Sequence, residues 1–197
     1  MINRNKINKT ILNRNSQLLE VLNKIDKKSQ SNFNYLCNLS IKKMIGMNKV
    51  IFYGNGGSAA DSQHLSTELV VKFKKKRKAL PSIALTTDVS IISAIGNDYK
   101  FEKIFSRQLE SIGSKGDISI ALTTSGNSQN LIEAAKTARY KKITTFCFSG
   151  NNGGKLKKYT NFPIIIPSNN TAIIQTAQHH LGQIFCSLVD EYFCKKK

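Results

Sequence analysis

Residues 49–70 read Lys-Val-Ile-Phe-Tyr-Gly-Asn-Gly-Gly-Ser-Ala-Ala-Asp-Ser-Gln-His-Leu-Ser-Thr-Glu-Leu-Val, and this stretch decides the fold. Lys49–Tyr53 is a short apolar, β-rich run. Gly54-Asn55-Gly56-Gly57-Ser58 follows it as a turn of small residues, and an amphipathic helix opens directly behind. The same order recurs downstream, where Asp117–Leu122 leads into Thr123-Thr124-Ser125-Gly126-Asn127-Ser128 and another helix. Two strand–loop–helix units of this kind place both loops at the carboxyl ends of parallel strands, the edge where open α/β sheets bind ligands. Small residues let backbone N–H groups approach an anion, the helix dipole favours it, and Ser/Thr hydroxyls add donors. Hydroxyl-rich loops with no lysine in them suit a sugar phosphate better than a nucleoside triphosphate.

Outward from these units the period of the apolar residues alternates between strand and helix. Strands are predicted at 49–54, 82–86, 117–122, 143–148 and 162–166. Helices are predicted at 58–71, 89–96, 101–112, 128–140 and 171–194, with a short one at 153–159. This is an α/β pattern: a three-layer αβα sandwich around a doubly wound parallel sheet of about five strands. Two further helices, near 5–27 and 30–47, precede the first strand. Leu12, Leu18, Leu19, Val21, Leu22 and Ile25 stripe the first; Phe33, Leu36, Cys37, Leu39, Ile41 and Met44 stripe the second. The 197 residues are expected to form one domain over 1–197, with the segment 5–47 packing on that domain and on a neighbouring subunit.

Two other phosphate motifs are weighed against this reading. Gly54-x-Gly56-x-x-Ala59 matches the dinucleotide fingerprint, but the acidic ribose ligand that it needs about 20 residues on is missing. That position falls within a lysine cluster, and the first acid after the second strand is Asp88. A Walker A loop requires Gly-Lys-Ser/Thr, which neither loop contains.

The formal charge is +18, with 25 lysines, 5 arginines and 19 asparagines, a composition that resembles codon drift in an AT-rich genome. The densest cluster, Lys72–Lys78, reads KFKKKRK. It is taken as a solvated surface loop leaving the helix that begins near Ser58, rather than as a nucleic-acid interface. The basic field would still concentrate anionic substrates. Cys37, Cys147, Cys186 and Cys194 have no metal-ligand spacing, and buried free thiols are expected. With no signal peptide and no apolar run of membrane-spanning length, a soluble cytoplasmic protein is expected.

His64 and Glu68 stand four apart on one helical face, with Asp61 one turn earlier. Such a pair can share a divalent metal, or the carboxylate can act as a base while the imidazole orients it. In the last helix Gln175, His179 and Gln183 share a face at successive four-residue steps. That face either looks into a site or carries a solvated stripe.

The string Tyr53–His64, the run Asp88-Val89-Ser90 with Gly96-Asn97-Asp98-Tyr99, the phrase Phe105-Ser106-Arg107-Gln108, and Thr124–Ser128 together resemble the sugar isomerase (SIS) domain proteins of the phosphoheptose isomerase group. The resemblance spans about residues 15–193. It implies a homotetramer with sites between subunits, often with bound zinc. The activity it implies interconverts sedoheptulose 7-phosphate and glycero-manno-heptose 7-phosphate, toward the heptose of lipopolysaccharide and surface polysaccharides. On the residues that match, it implies that Asn55, Gly56, Gly57 and Ser58 line the sugar, that Thr123, Thr124, Ser125 and Ser128 hold the phosphate, and that Asn97 and Asp98 touch substrate. Glu68 matches the catalytic base, while His64, Glu68 and Gln175 match metal ligands, Gln175 also contacting the sugar.

One departure is prominent: the family's histidine eight residues after the glutamine is replaced here by Gln183. An amide neither shuttles protons near neutral pH nor binds zinc well. Gln183 then marks either a vacancy, with zinc weak or absent, or a position whose catalytic and metal-binding work passes to His179. One helical turn displaces a side chain by about 6 Å, so the vacancy is favoured. An incomplete catalytic set also raises a second expectation, a non-catalytic SIS protein that binds a sugar phosphate or the replication initiator.

Overall fold

The computed structural model describes residues 2–195; Lys196 and Lys197 of the lysine tail lie outside the described residues. Two helices, α1 (Arg4–Asn23) and α2 (Lys27–Ile45), precede the sheet. Each starts at an Asx cap: the Asn3 side chain accepts from the Lys6 amide and Asp26 from the Ser29 amide. The chain then runs β1 (Val50–Gly54), α3 (Gly57–Val70), β2 (Ser82–Ala84), α4 (Val89–Asp98), α5 (Ser106–Ile112), β3 (Ile118–Thr123), α6 (Gln129–Tyr140), β4 (Thr144–Gly150), β5 (Phe162–Ile166) and α7 (Thr171–Lys195).

All five strands are parallel, in the order β2-β1-β3-β4-β5. β1 and β3 carry nothing but buried residues because helices cover both faces of the sheet. On one face Phe52, Ile120, Phe146 and Phe148 pack with Leu36 of α2, Leu65 and Leu69 of α3, and Phe185 and Val189 of α7. On the other, Ile51, Tyr53, Ala121 and Cys147 meet Ile95 of α4, Leu109 of α5 and Leu131, Ala134 and Ala138 of α6. This is the expected three-layer αβα sandwich. From β1 the chain first adds a strand on one side and then crosses to β3 on the other, so the order reverses between β1 and β3. Both small-residue loops leave the sheet at that switch point.

Several expectations change. The segment 101–112 is not one helix: a 3₁₀ turn at Phe101–Lys103 precedes α5, and Phe105 between them packs its ring 5.5 Å from Tyr53. The short helix predicted at 153–159 shortens to a 3₁₀ segment at Leu156–Tyr159, because Gly153 and Gly154 adopt φ of 90° and 55°. The N-terminal stripe is only partly used. Leu18, Val21 and Leu22 pack against Ile174 and Ala177 of α7, whereas Ile7, Ile11, Leu12 and Leu19 remain exposed. In the KFKKKRK segment the lysines are exposed, but the Arg77 side chain is buried and ion-paired with Asp190, so the stretch is not simply a solvated loop. Cys37, Cys147 and Cys186 are buried free thiols and Cys194 is half-buried. Among the described residues no helix is long and apolar enough to cross a membrane.

Candidate active site

The first loop is shaped by close approach. A Cβ on Gly54 would lie 2.7 Å from Ser58 Cβ and 2.8 Å from the Leu122 carbonyl, so only glycine lets β1 turn into α3 against β3. Gly56 caps α3 with φ of 56°, and no side chain caps that helix. Gly56 and Gly57 are exposed, Asn55 is half-buried and Ser58 is buried. The Asn55 amide donates to Asn130 Oδ1 over 3.0 Å, and the Asn130 amide donates back over 2.8 Å. That reciprocal pair ties the first loop to the helix behind the second. Nothing local in the sequence marks Asn130, because its partner is 75 residues away.

In the second loop the Thr123 hydroxyl is turned inward and accepts from the Gly126 amide. It braces the loop. Thr124 and Ser128 are half-buried and Ser125 is exposed, its oxygen accepting from the Asn127 amide. Ser128 occupies the N-cap position of α6 without bonding the helix through its side chain; its carbonyl accepts from the Leu131 and Ile132 amides. Beneath the loop, buried Gln178 donates to the Thr123 and Phe148 carbonyls, joining α7 to the ends of β3 and β4.

The shared face of α7 looks into the site. A Cβ on Gly57 would come within 2.7 Å of Gln175 Nε2, so Gln175 lies over the first loop. The Gln183 amide lies 2.7 Å from His64 Nε2, and that nitrogen is 3.2 Å from Glu68 Oε1. This one nitrogen cannot serve both partners at once: unprotonated it accepts from the Gln183 amide, and protonated it donates to the Glu68 carboxylate, so the tautomer selects between the two. His179 does not join this group: its Nδ1 meets Asp61 Oδ1 at 2.9 Å, while its ring contacts the His64 ring edge-on at 4.9 Å. Asp61, His64 and Glu68 of α3 thus face Gln175, His179 and Gln183 of α7. The closeness of the helices has a local cause, since a Cβ on Gly182 would strike Leu65 at 2.6 Å.

This donor set does not fit a tightly held zinc ion. Besides His64 and Glu68 it offers two amides, Gln175 and Gln183, which are weak zinc ligands. The His64 nitrogen nearest Glu68 is engaged by Gln183, and His179 is directed to Asp61. Among the described residues no three His, Cys, Asp or Glu side chains are arranged to hold a metal ion. Asn97 and Asp98 sit exposed at the end of α4, and the only side-chain hydrogen bond of either among the described residues joins the two to each other. The cluster is open to solvent, with the His64 and His179 side chains 47% and 40% exposed.

Residues 15–150 match the family model for the SIS domain. The chain belongs to the SIS domain family. Its similarity to one group of that family is extensive. It is 51% identical to the phosphoheptose isomerase of Aquifex aeolicus over 149 residues, 76% of this chain and 78% of that protein. Among solved structures, it superposes on a phosphoheptose isomerase from Francisella tularensis with a TM-score of 0.87, covering 97% of this chain and 100% of that one at 30% identity. The corresponding figures for the phosphoheptose isomerase of Neisseria gonorrhoeae are 0.86, 94%, 99% and 30%.

Proposed function

We propose that the protein is a phosphoheptose isomerase, interconverting sedoheptulose 7-phosphate and D-glycero-D-manno-heptose 7-phosphate through an enediol, for the heptose of lipopolysaccharide and other surface polysaccharides. The observation that carries this reading is the Glu68 carboxylate, 3.2 Å from the His64 imidazole on the helix that the first loop launches. The phosphate is held by Thr124, Ser125 and Ser128 at the start of α6, with Thr123 bracing the loop. Asn55, Gly56, Gly57, Ser58 and Gln175 surround the sugar carbons. Glu68 removes the proton from C1 of the ketose as the C2 carbonyl becomes an enediol hydroxyl, then returns it to C2 to leave the aldose. The hydroxyl protons pass between O1 and O2 by way of His64, which Gln183 holds in place. No step requires Gln183 to transfer a proton.

Zinc is at most weakly held by such a set. Metal analysis of the dialysed protein is the check, and stoichiometric zinc that survives dialysis overturns this part of the proposal. The proposal includes a cytoplasmic homotetramer in which neighbouring chains complete each site; the exposure of Asn97 and Asp98 and of the apolar side chains of α1 supports association between chains. Light scattering measures the assembly.

The deciding experiment follows sedoheptulose 7-phosphate by NMR with purified protein and its Glu68→Gln variant. Turnover by the native chain, reduced about 10²-fold or more in the variant, is the expected result. Equal rates refute the role of Glu68. Gln183 at the histidine position favours one second reading, a sugar-phosphate-binding or replication-initiator-binding SIS protein without catalysis. Binding without turnover by the native chain would establish sugar-phosphate binding without catalysis.

A further inference from the structure

Arg77 is the one member of the KFKKKRK segment whose charge is buried, its side chain 3% exposed. Its guanidinium makes four hydrogen bonds. Nε donates to Asp190 Oδ1 at 2.7 Å, Nη1 to the Leu69 and Lys78 carbonyls at 2.9 and 3.0 Å, and Nη2 to the Glu68 carbonyl at 2.9 Å. Asp190 in turn accepts from the Phe73 and Lys74 amides. Glu68 and Leu69 lie in the last turn of α3, whose carbonyls have no partners within the helix. The Leu69 carbonyl also accepts from the Leu80 amide at 3.2 Å, but the Glu68 carbonyl is met by Arg77, and this one side chain joins the end of α3 and the lysine segment to α7. Only a planar fork with donors on three nitrogens can do this; a lysine cannot.

We propose that Arg77, anchored by Asp190, is a positioning residue for Glu68, fixing the base helix in register with the Gln175–Gln183 face of α7. The inference rests on the assignment of Glu68 as the catalytic base. Glu68 is held through its own backbone, so loss of the fork lets the last turn of α3 fray and the carboxylate drift from the reacting carbons. A displacement of about 1 Å is enough to cost up to 10²-fold in rate. Substrate binding through the two loops is left in place.

The test compares Arg77→Lys with the native chain and with Lys76→Ala, an exposed neighbour that does not contact α3 in this way. Two readouts are taken: kcat and KM on sedoheptulose 7-phosphate, and hydrogen exchange at the Val71 amide, which bonds to the Thr67 carbonyl at the end of α3. Arg77→Lys is expected to lose tenfold or more in kcat with KM within twofold, and to exchange Val71 at least tenfold faster, while Lys76→Ala changes neither. Native kcat, a loss confined to KM, or unchanged exchange overturns the proposal. If Arg77→Lys does not fold, Asp190→Ala, which keeps the fork and removes its anchor, is judged on the same readouts. If the native chain does not isomerise the sugar, the proposed activity fails while the clamp is still decided by exchange.

Discussion

Gly126→Ala probes the seat of the phosphate most directly. Gly126 has φ of +66°, where an alanine costs about 1–2 kcal/mol. The new Cβ would stand 2.1 Å from the Gly153 carbonyl oxygen and 2.9 Å from Ser149 Oγ. The nearest of these is backbone, so relief requires the loop after β4 to withdraw from the second loop by about 1 Å, with a packing cost of about 1–3 kcal/mol. That withdrawal also strains the bond from the Leu156 amide to the Gly126 carbonyl. Together these terms predict a loss of about 2–5 kcal/mol. At about 2–4 °C per kcal/mol for a chain of this size, Tm falls by roughly 5–20 °C. Because Ser125 and Ser128 flank the displaced residue, affinity for the phosphorylated sugar falls by about tenfold or more, the scale of losing one hydrogen bond to a charged group. Differential scanning calorimetry and titration calorimetry with sedoheptulose 7-phosphate read the two effects separately. Unchanged Tm with unchanged affinity would refute both the contact and the placement of the phosphate.

Ser128→Ala, which removes a hydroxyl not used for capping, is expected to weaken phosphosugar binding by roughly tenfold to a hundredfold at nearly unchanged Tm; native affinity in titration calorimetry would move the phosphate elsewhere. Burial alone would raise the Asp190 carboxyl, but the Lys74 and Phe73 amides and the Arg77 guanidinium outweigh it and hold it below the usual carboxylate range. Its stabilisation is then complete above the unfolded value of about 4 and lost as pH falls through the folded one. Tm should drop more steeply on acidification in the native chain than in Asp190→Asn, and parallel curves would contradict this. Burial pushes the thiols of Cys37 and Cys147 up to about 12 and about 11, and raises Cys186 as well. A disulfide reagent at pH 8 should therefore modify Cys194 alone until the protein unfolds, and fast reaction of two or more thiols would refute the packing.

The sequence by itself determined the strand–loop–helix units, the parallel sheet and the two small-residue loops at its carboxyl edge. These are local matters: side-chain periods of 2.0 and 3.6 and the φ freedom of glycine act within a few residues. It also put His64 with Glu68 and Gln175 with His179 and Gln183, since each set lies along one helix. Only the tertiary structure decided how the two helices meet. Gln183 engages His64 across 119 residues, and His179 turns to Asp61 across 118. Asn130 joins Asn55, and Arg77 leaves its lysine neighbours for Asp190. The exposed Leu12 and Leu19, and the break before α5 where Phe105 packs on Tyr53, have the same origin. A polar or aromatic side chain carries no local record of its distant partner. That partner is chosen when the sheet and its flanking helices close on one core, and buried donors and acceptors must then find each other there.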